Sequence, residues 1–237
     1  MNLSERLRHV AYLCGSGGTL ADIGCDHGYL GIWLIKEKCF EHVIAMDLRK
    51  GPLQAAREHV AEEGLADRIE CRLSDGCDRL VAGEADVISF AGMGGPLMIS
   101  LLERDMTITK SAGKLVLQPQ SEIPSVRRWL RDNGYRIEDE DIVCEDGKFY
   151  PMMAAVPGEW DDAGAGEEAA LAYGGMLLEK KHPVLKAYLE KILKQNEDVL
   201  DGLKSAGDTE NERRSIRTAE VERGIAGIRE ALKVYEA

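Results

Sequence analysis

The sequence alternates short apolar runs with helical repeats from Thr19 to about Pro157. The apolar runs are TLADIG, HVIAMD, RIECRLSDG, ADVISF and GKLVLQP, with amphipathic helical patterns around them. This alternation predicts a parallel sheet covered by helices on both faces. The segment GYRIEDEDIVCEDGKFYPMMAAV instead predicts two strands joined at Asp146-Gly147 with no helix between them. We therefore expect an α/β domain of five parallel strands closed by an antiparallel hairpin.

Helical patterns flank this region on both sides. A helix is predicted from Ser4 to about Cys14, and the Gly/Ala/acid stretch GEWDDAGAGEEAA reads as a linker. Beyond the linker, apolar positions recur at alternating spacings of 4 and 3 in two runs, which predicts an antiparallel helical hairpin. Its turn is SAGDTEN, where Gly207 would stop one helix and Asp208 or Thr209 would cap the next. The predicted stripes are Leu185, Leu189, Ile192, Asn196, Val199 and Leu203, then Val221, Ile225, Ile228, Leu232 and Tyr235. The expected organisation is a main domain over residues 1–160 and a linker with a coiled-coil hairpin over 161–237.

Composition restricts the class of protein. The net charge of -12 over 237 residues argues against a general nucleic-acid binder. No apolar run approaches the roughly 20 residues of a membrane helix, and the charged N-terminus is unlike a signal peptide. We therefore expect a soluble cytoplasmic protein. The six cysteines form no CxxC pair, so neither a zinc site nor a disulfide framework is indicated.

The turn after the first predicted strand indicates the type of ligand. It reads Asp22-Ile23-Gly24-Cys25-Asp26-His27-Gly28, so a carboxylate stands two residues after the first glycine. A dinucleotide loop has a glycine there, because its backbone approaches a pyrophosphate that Asp26 would repel. A neutral or cationic ligand is favoured. S-adenosylmethionine fits, since it lacks phosphate and carries a sulfonium and an ammonium that Asp22 or Asp26 could stabilise.

Acids and glycines also follow the other predicted strands. Asp47 ends the second strand, where an acid that binds ribose hydroxyls is expected. Asp75 follows the third strand, placed to accept from an adenine amino group, and Gly76 starts the next helix. FAGMGGP, residues 90–96, follows the fourth strand at the switch point where open sheets bind ligands. Each acid alone is as readily a helix cap or turn residue, but the series favours a binding site.

The motifs ADIGCDHGYL, FAGMGGPLM, LVLQPQ, EDGKFY and GGMLLEKKHPVLKAYL together resemble the bacterial tRNA (adenine-N1)-methyltransferases that act on adenine 22 in the D-arm. The resemblance implies a class I methyltransferase domain with strand order 3-2-1-4-5-7-6, a C-terminal coiled coil, S-adenosylmethionine as donor and tRNA as substrate. The chain departs from the family pattern at Gly28, Gly31, Gln120 and Pro151. Carried over by motif, the implied cofactor contacts are Asp22, Gly24, Asp26, His27, Asp47, Asp75, Gly76, Ala91 and Gly92.

The chemistry of adenine N1 suggests catalytic candidates. N1 has an in-plane lone pair and no proton to lose, so holding it in line with the methyl group could supply most of the catalysis. The product base is cationic, and Asp26 is the candidate carboxylate that stabilises the developing charge. Tyr29 is the candidate aromatic wall for an extruded base, with a core tyrosine as the alternative. Gln118 and Gln120 could read the adenine edge.

Binding of tRNA by so acidic a chain requires a local basic patch. The candidates are Arg6, Arg8, Lys36 and the helix that carries Arg127, Arg128 and Arg131, although clusters of this kind are more often solvated helix faces. No metal is expected, and a monomer is the expected oligomeric state. Two other functions remain open at this point: a nicotinamide-dependent dehydrogenase, and a non-catalytic methyltransferase-like module that binds tRNA or a protein partner.

Overall fold

A seven-stranded sheet carries the first part of the chain in the computed structural model, which describes residues 3–205 and 212–236. The chain divides into two compact units, Met1–Asp161 and Asp162–Ala237. Strand order is β3-β2-β1-β4-β5-β7-β6, and the first five strands in this order are parallel. The predicted order and the closing antiparallel pair are confirmed. The strands are β1 Gly17–Ile23, β2 Phe40–Asp47, β3 Ile69–Leu73, β4 Val87–Met93, β5 Lys114–Pro119, β6 Tyr135–Glu145 and β7 Lys148–Pro157.

Helices of the first unit start and end at the residues that their sequences favour. Ser4 caps the first helix by accepting a hydrogen bond from the Leu7 amide at 3.2 Å. Pro52 lies in the first turn of the third helix, where its missing N–H costs no helical bond, and Gly64 follows that helix with φ of 68°. The helices are α1 Glu5–Cys14, α2 Tyr29–Lys36, α3 Lys50–Glu62, α4 Gly95–Arg104, α5 Met106–Ser111 and α6 Ile123–Asp132.

The predicted hairpin of β6 and β7 turns at Asp146 and Gly147, with φ values of 50° and 73°. Positive φ at both central residues is the type I′ geometry that matches the twist of a hairpin. Pro151 is tolerated inside β7 because β5 pairs with β7 only at Met153–Ala155. Pro151 therefore lies beyond the end of that ladder and pairs with β6 alone, opposite Ile142.

The second unit contains the helices α7 Glu167–Tyr173, α8 Gly175–Glu179, α9 Pro183–Ser205 and α10 Glu212–Lys233. Ion pairs Lys204–Glu222 at 2.9 Å and Glu197–Arg229 at 2.8 Å show that α9 and α10 run antiparallel. Asn196 faces α10, since a Cβ on Gly224 would lie 3.6 Å from its amide nitrogen.

The predicted apolar stripe is wrong at Val199, which is 45% exposed, while Leu200 is half-buried in its place. Leu200 lies four residues after Asn196, which is close to one helical turn of 3.6 residues, so Leu200 falls on the inner face. Val199, three residues after Asn196, is turned away from that face. The predicted stop and caps at Gly207, Asp208 and Thr209 lie outside the described residues. No described helix is both long and apolar enough to span a membrane.

Candidate active site

A cavity of about 310 Å³ opens at the carboxyl ends of β1 and β4. Open parallel sheets bind ligands at this edge, where the strand order reverses. The cavity gathers residues from α1, the loop between β1 and α2, the end of β4 and the segment after β5. The predicted residues that line it are Arg6, Asp22, Gly24, Asp26, His27, Tyr29, Ala91, Gly92 and Gln120.

The loop from Gly24 to Gly28 is wound tightly, with φ values of 75° at Gly24, 52° at Asp26 and 75° at Gly28. Its position relative to β2 is fixed by backbone hydrogen bonds: the amides of Gly24 and Cys25 donate to the Met46 carbonyl at 2.8 and 2.9 Å. Glycine is needed at Gly28 for a second reason, because a Cβ there would lie 3.2 Å from the Cβ of Ala56. The loop thereby brings the Asp26 side chain to the cavity.

Two buried carboxyl groups lie at the base of the site, and the guanidinium of Arg49 is next to one of them, with Nε 3.6 Å from Asp47 Oδ1. Asp22 is 4% exposed and Asp47 is 5% exposed. Burial, and then the negative charge of Asp47, raise the pKa of Asp22 to about 7, although Ser89 on the neighbouring strand partly offsets this. Asp47 accepts hydrogen bonds from the amides of Asp26 at 3.3 Å and Arg49 at 2.8 Å. Such a site favours a cation and disfavours a diphosphate.

Asp26 keeps its carboxylate at the cavity surface. Its side chain is 62% exposed, with Arg49 Nη2 at 3.7 Å and His27 Nε2 at 3.8 Å. Only the backbone amide of Asp26 contacts Asp47. The side chain is therefore placed to interact with a ligand in the cavity.

Tyr29 takes both of the positions considered for it, because it lines the cavity and also packs against the hydrophobic core. Two imidazoles lie close to its ring: the His59 centroid is 5.0 Å away and the His27 centroid 5.6 Å away, each ring is inclined by 21° to the tyrosine plane, and the two imidazole centroids are 5.9 Å apart. We call His27, Tyr29 and His59 the ring cluster. No sequence signal points to His59, because no motif surrounds it and it lies on α3, far along the chain from the loop.

The opposite wall of the cavity comes from α1. Arg6 Nη1 donates to the Oε1 atom of Gln118 at 3.0 Å, and its guanidinium lies 5.8 Å from the ring centroid of Tyr150. A Cβ on Gly92 would lie 3.3 Å from Arg6 Nη1 and 3.7 Å from Gln120 Nε2, so the three residues converge. Gln118 is fully buried and also donates to the Pro119 carbonyl. The expectation that Gln118 reads a base edge is therefore wrong, because both ends of its amide are used inside the protein.

Several predicted residues lie away from the cavity lining. Asp75 forms an ion pair with Arg104 at 2.8 Å, and a Cβ on Gly76 would lie 2.8 Å from Leu101. Asp47 is buried, is not part of the cavity lining, and accepts a hydrogen bond from the backbone amide of Asp26. The cofactor roles expected for Asp47, Asp75 and Gly76 thus remain predictions.

The basic residues of the predicted tRNA-binding patch differ in their exposure and in their partners. Arg127 is 1% exposed and pairs with Glu140 at 2.8 Å, so its assignment to a tRNA-binding surface is wrong. Its neighbour Arg128 is exposed on α6. Arg8 is partly exposed and pairs with Glu5 at 2.9 Å, and Lys36 pairs with Glu63. Of the arginines in the predicted patch, Arg6 alone lines the cavity.

Similarity to known proteins extends over nearly the whole chain. Residues 3–153 match a family described as a methyltransferase domain. Over 219 residues the chain is 32% identical to the tRNA (adenine(22)-N(1))-methyltransferase of Bacillus subtilis strain 168, and the match covers 92% of each protein.

Two solved structures share the fold at similar levels of identity. The crystal structure of the B. subtilis m1A22 tRNA methyltransferase TrmK has a TM-score of 0.89 at 32% identity, covering 98% of this chain and 99% of that one. Streptococcus pneumoniae Sp1610, solved in complex with S-adenosyl-L-methionine, has a TM-score of 0.86 at 29% identity, covering 98% and 100%.

Proposed function

This chain belongs to the tRNA (adenine(22)-N(1))-methyltransferase family, and we propose that it transfers a methyl group from S-adenosylmethionine to N1 of adenine 22 in the D-arm of tRNA. The observation that carries the proposal is the cavity at the carboxyl ends of β1 and β4, lined by Asp22 and Asp26, in a chain that matches a family member over 92% of its length. Neither a dinucleotide nor a metal explains the cavity as well. Asp26 opposes a diphosphate, and no described residues form a group suited to hold a metal ion.

The residues around the cavity fit S-adenosylmethionine. This donor supplies an electrophilic methyl group on a sulfonium sulfur. Asp22 would attract the ammonium of the methionine part, and the buried Asp47 would accept from ribose hydroxyls. The backbone of Ala91 and Gly92 leaves room beside the cavity, because Gly92 has φ of 81° and carries no side chain. Gly24 and His27 complete the proposed contacts, and Asp75 with Gly76 would flank the adenine.

The chain's own contribution to methyl transfer is position and charge. Adenine N1 needs no general base, so the site has only to hold the base in line and exclude competing orientations. Tyr29 is the proposed wall of the base pocket, since its ring is at the cavity and backed by the core. The exposed carboxylate of Asp26 would stabilise the positive charge that develops on the ring. Gln120 and Arg6 would contact the substrate from the opposite wall.

The tRNA is too large for the cavity alone, so a second contact surface is needed. We assign this role to the α9–α10 hairpin, with the partly exposed Arg8 and the exposed Arg128 as further phosphate contacts. The proposed enzyme acts as a monomer in the cytoplasm, where its tRNA substrate is found. Light scattering on a size-exclusion column would test the oligomeric state.

Methyl transfer from labelled S-adenosylmethionine to unmodified bacterial tRNA tests the proposal directly. Nucleoside analysis of the product should give N1-methyladenosine, and a transcript with adenine 22 replaced by guanine should take up no label. Product on the replaced transcript would overturn the assigned position.

Binding of S-adenosylmethionine without transfer to any tRNA would favour the alternative function, a non-catalytic module that binds tRNA or a protein partner. Tight binding of a nicotinamide dinucleotide in place of S-adenosylmethionine would instead favour a dehydrogenase.

A further inference from the structure

His59 lies on α3 and belongs to the ring cluster without lining the cavity. Its ring centroid is 5.0 Å from that of Tyr29 and 5.9 Å from that of His27. The small inclination between His59 and Tyr29, 21°, is that of an offset stack. The imidazole of His59 that stacks on Tyr29 therefore comes from a different helix.

A hydrogen bond sets the orientation of the His59 ring. Its Nδ1 atom lies 3.0 Å from the backbone carbonyl oxygen of His27. A carbonyl can only accept, so Nδ1 must carry the proton and donate. This bond fixes both the tautomer and the ring plane of His59, and the ring plane in turn restricts that of Tyr29.

We propose that His59 is a positioning residue for the target base: its imidazole holds the ring of Tyr29 in the plane on which the extruded adenine stacks. The inference rests on the proposed function. A base leaving the stack in RNA loses its neighbours, and an aromatic ring that is already oriented replaces them at lower entropic cost. Since His59 is not at the cavity surface, it acts through Tyr29 and touches neither the cofactor nor the base.

Three substitutions in the full-length protein separate the two contacts of His59. His59→Phe keeps a ring against Tyr29 and removes the donor. His59→Asn keeps a donor near the Nδ1 position and removes the ring. His59→Ala removes both, and His42→Ala, at an exposed position on β2, is the matched control.

Steady-state kinetics with tRNA, cofactor affinity by calorimetry and thermal unfolding would be measured for each variant. We expect His59→Ala and His59→Asn to lower kcat/KM for tRNA by about tenfold, the scale of one base–aromatic stack, with cofactor affinity within about twofold. His59→Phe should recover part of the loss, because it keeps a ring against Tyr29 without the bond that orients it, and His42→Ala should behave as the unmodified protein. Rescue by Asn in place of Phe, or a parallel loss of cofactor affinity, would overturn the proposal, because His59 would then act on the cofactor loop.

A double-mutant cycle tests whether the effect passes through Tyr29. In the Tyr29→Ala background, His59→Ala should change kcat/KM by less than about twofold. Fully additive losses would contradict the proposal.

A tRNA with 2-aminopurine at position 22 gives a readout that does not depend on turnover. Its fluorescence should be quenched in the complex with the unmodified protein, because the base stacks on Tyr29, and brighter with His59→Ala. Equal fluorescence in both complexes would overturn the positioning role. A His59-dependent signal from a protein that transfers no methyl group would leave the positioning role standing and overturn the proposed function.

Discussion

Arg127 and Glu140 form an ion pair inside the first unit, with Nε 2.8 Å from Oε1 and both side chains 1% exposed. Removing one partner leaves a buried charge without its counter-ion. We expect Arg127→Ala to lower the free energy of unfolding by about 3–5 kcal/mol. Urea unfolding would measure this, with Arg128→Ala on the same helix as the exposed control. If Arg127→Ala instead weakened tRNA binding and left the free energy of unfolding unchanged, Arg127 would belong to a tRNA-binding surface after all.

The burial of Arg127 could not be predicted from sequence patterns. Arg127 lies one position from the apolar Val126 and three from Leu130, so helical spacing alone leaves it near the buried face. Whether a charge is tolerated there depends on Glu140, which lies on β6, and no sequence pattern relates Glu140 to Arg127. Burial of this pair is a tertiary property.

Local chemistry, in contrast, was predictable. Asp146-Gly147 specifies the hairpin because both residues accept positive φ, and Ser4 specifies a helix start. At the site, the signal at Asp22 and Asp26 came from their places at the end of β1 and in the loop that follows it. His59 carries no such signal, since its approach to Tyr29 depends on how α3 packs against the Gly24–Gly28 loop.

Asp22 should make the stability of the ligand-free protein fall as the pH rises. Its pKa is about 7 in the folded protein against an ordinary value of 3.8, so the folded state holds a proton that the unfolded state has released. The penalty grows from about pH 4 and is complete above pH 7. We expect Asp22→Asn to be more stable than the unmodified protein at pH 8, on the order of a few kcal/mol, and less so at pH 5. Urea titrations at the two pH values would test this, and a stability difference independent of pH would contradict it.

Asp26→Asn should lower turnover more than it weakens cofactor binding. Asparagine accepts the φ of 52° at this position as readily as aspartate, so the substitution removes the charge alone. We expect kcat to fall about tenfold or more at saturating cofactor, as expected for a lost electrostatic contact to a developing charge. Asp146→Asn is the matched control, because Asp146 has φ of 50° in the distant β6–β7 turn. Unchanged turnover would rule out the charge-stabilising role.

Arg6 and Arg8 lie on the same helix but should differ in their effect on tRNA. Arg6 lines the cavity and donates to Gln118, whereas Arg8 pairs with Glu5 at the surface. We expect Arg6→Ala to raise KM for tRNA about tenfold and Arg8→Ala to raise it less than about threefold. Thermal unfolding must be followed in parallel, because Arg6→Ala also leaves the buried Gln118 oxygen without its donor. Equal effects of the two variants would remove Arg6 from the substrate contacts.

Removal of the second unit should separate cofactor binding from tRNA binding. All residues that line the cavity fall between Arg6 and Gln120, so a chain ending at Asp161 should bind S-adenosylmethionine within about twofold of the full chain. Its affinity for tRNA should fall, because the α9–α10 hairpin is the proposed second contact surface.

In the full chain, the combined substitutions Arg213→Ala and Arg217→Ala, both at exposed positions on α10, should also weaken tRNA binding and make it less sensitive to salt. Filter binding at two salt concentrations would measure both effects, and a truncated chain that binds tRNA as tightly as the full chain would make the hairpin a structural appendage.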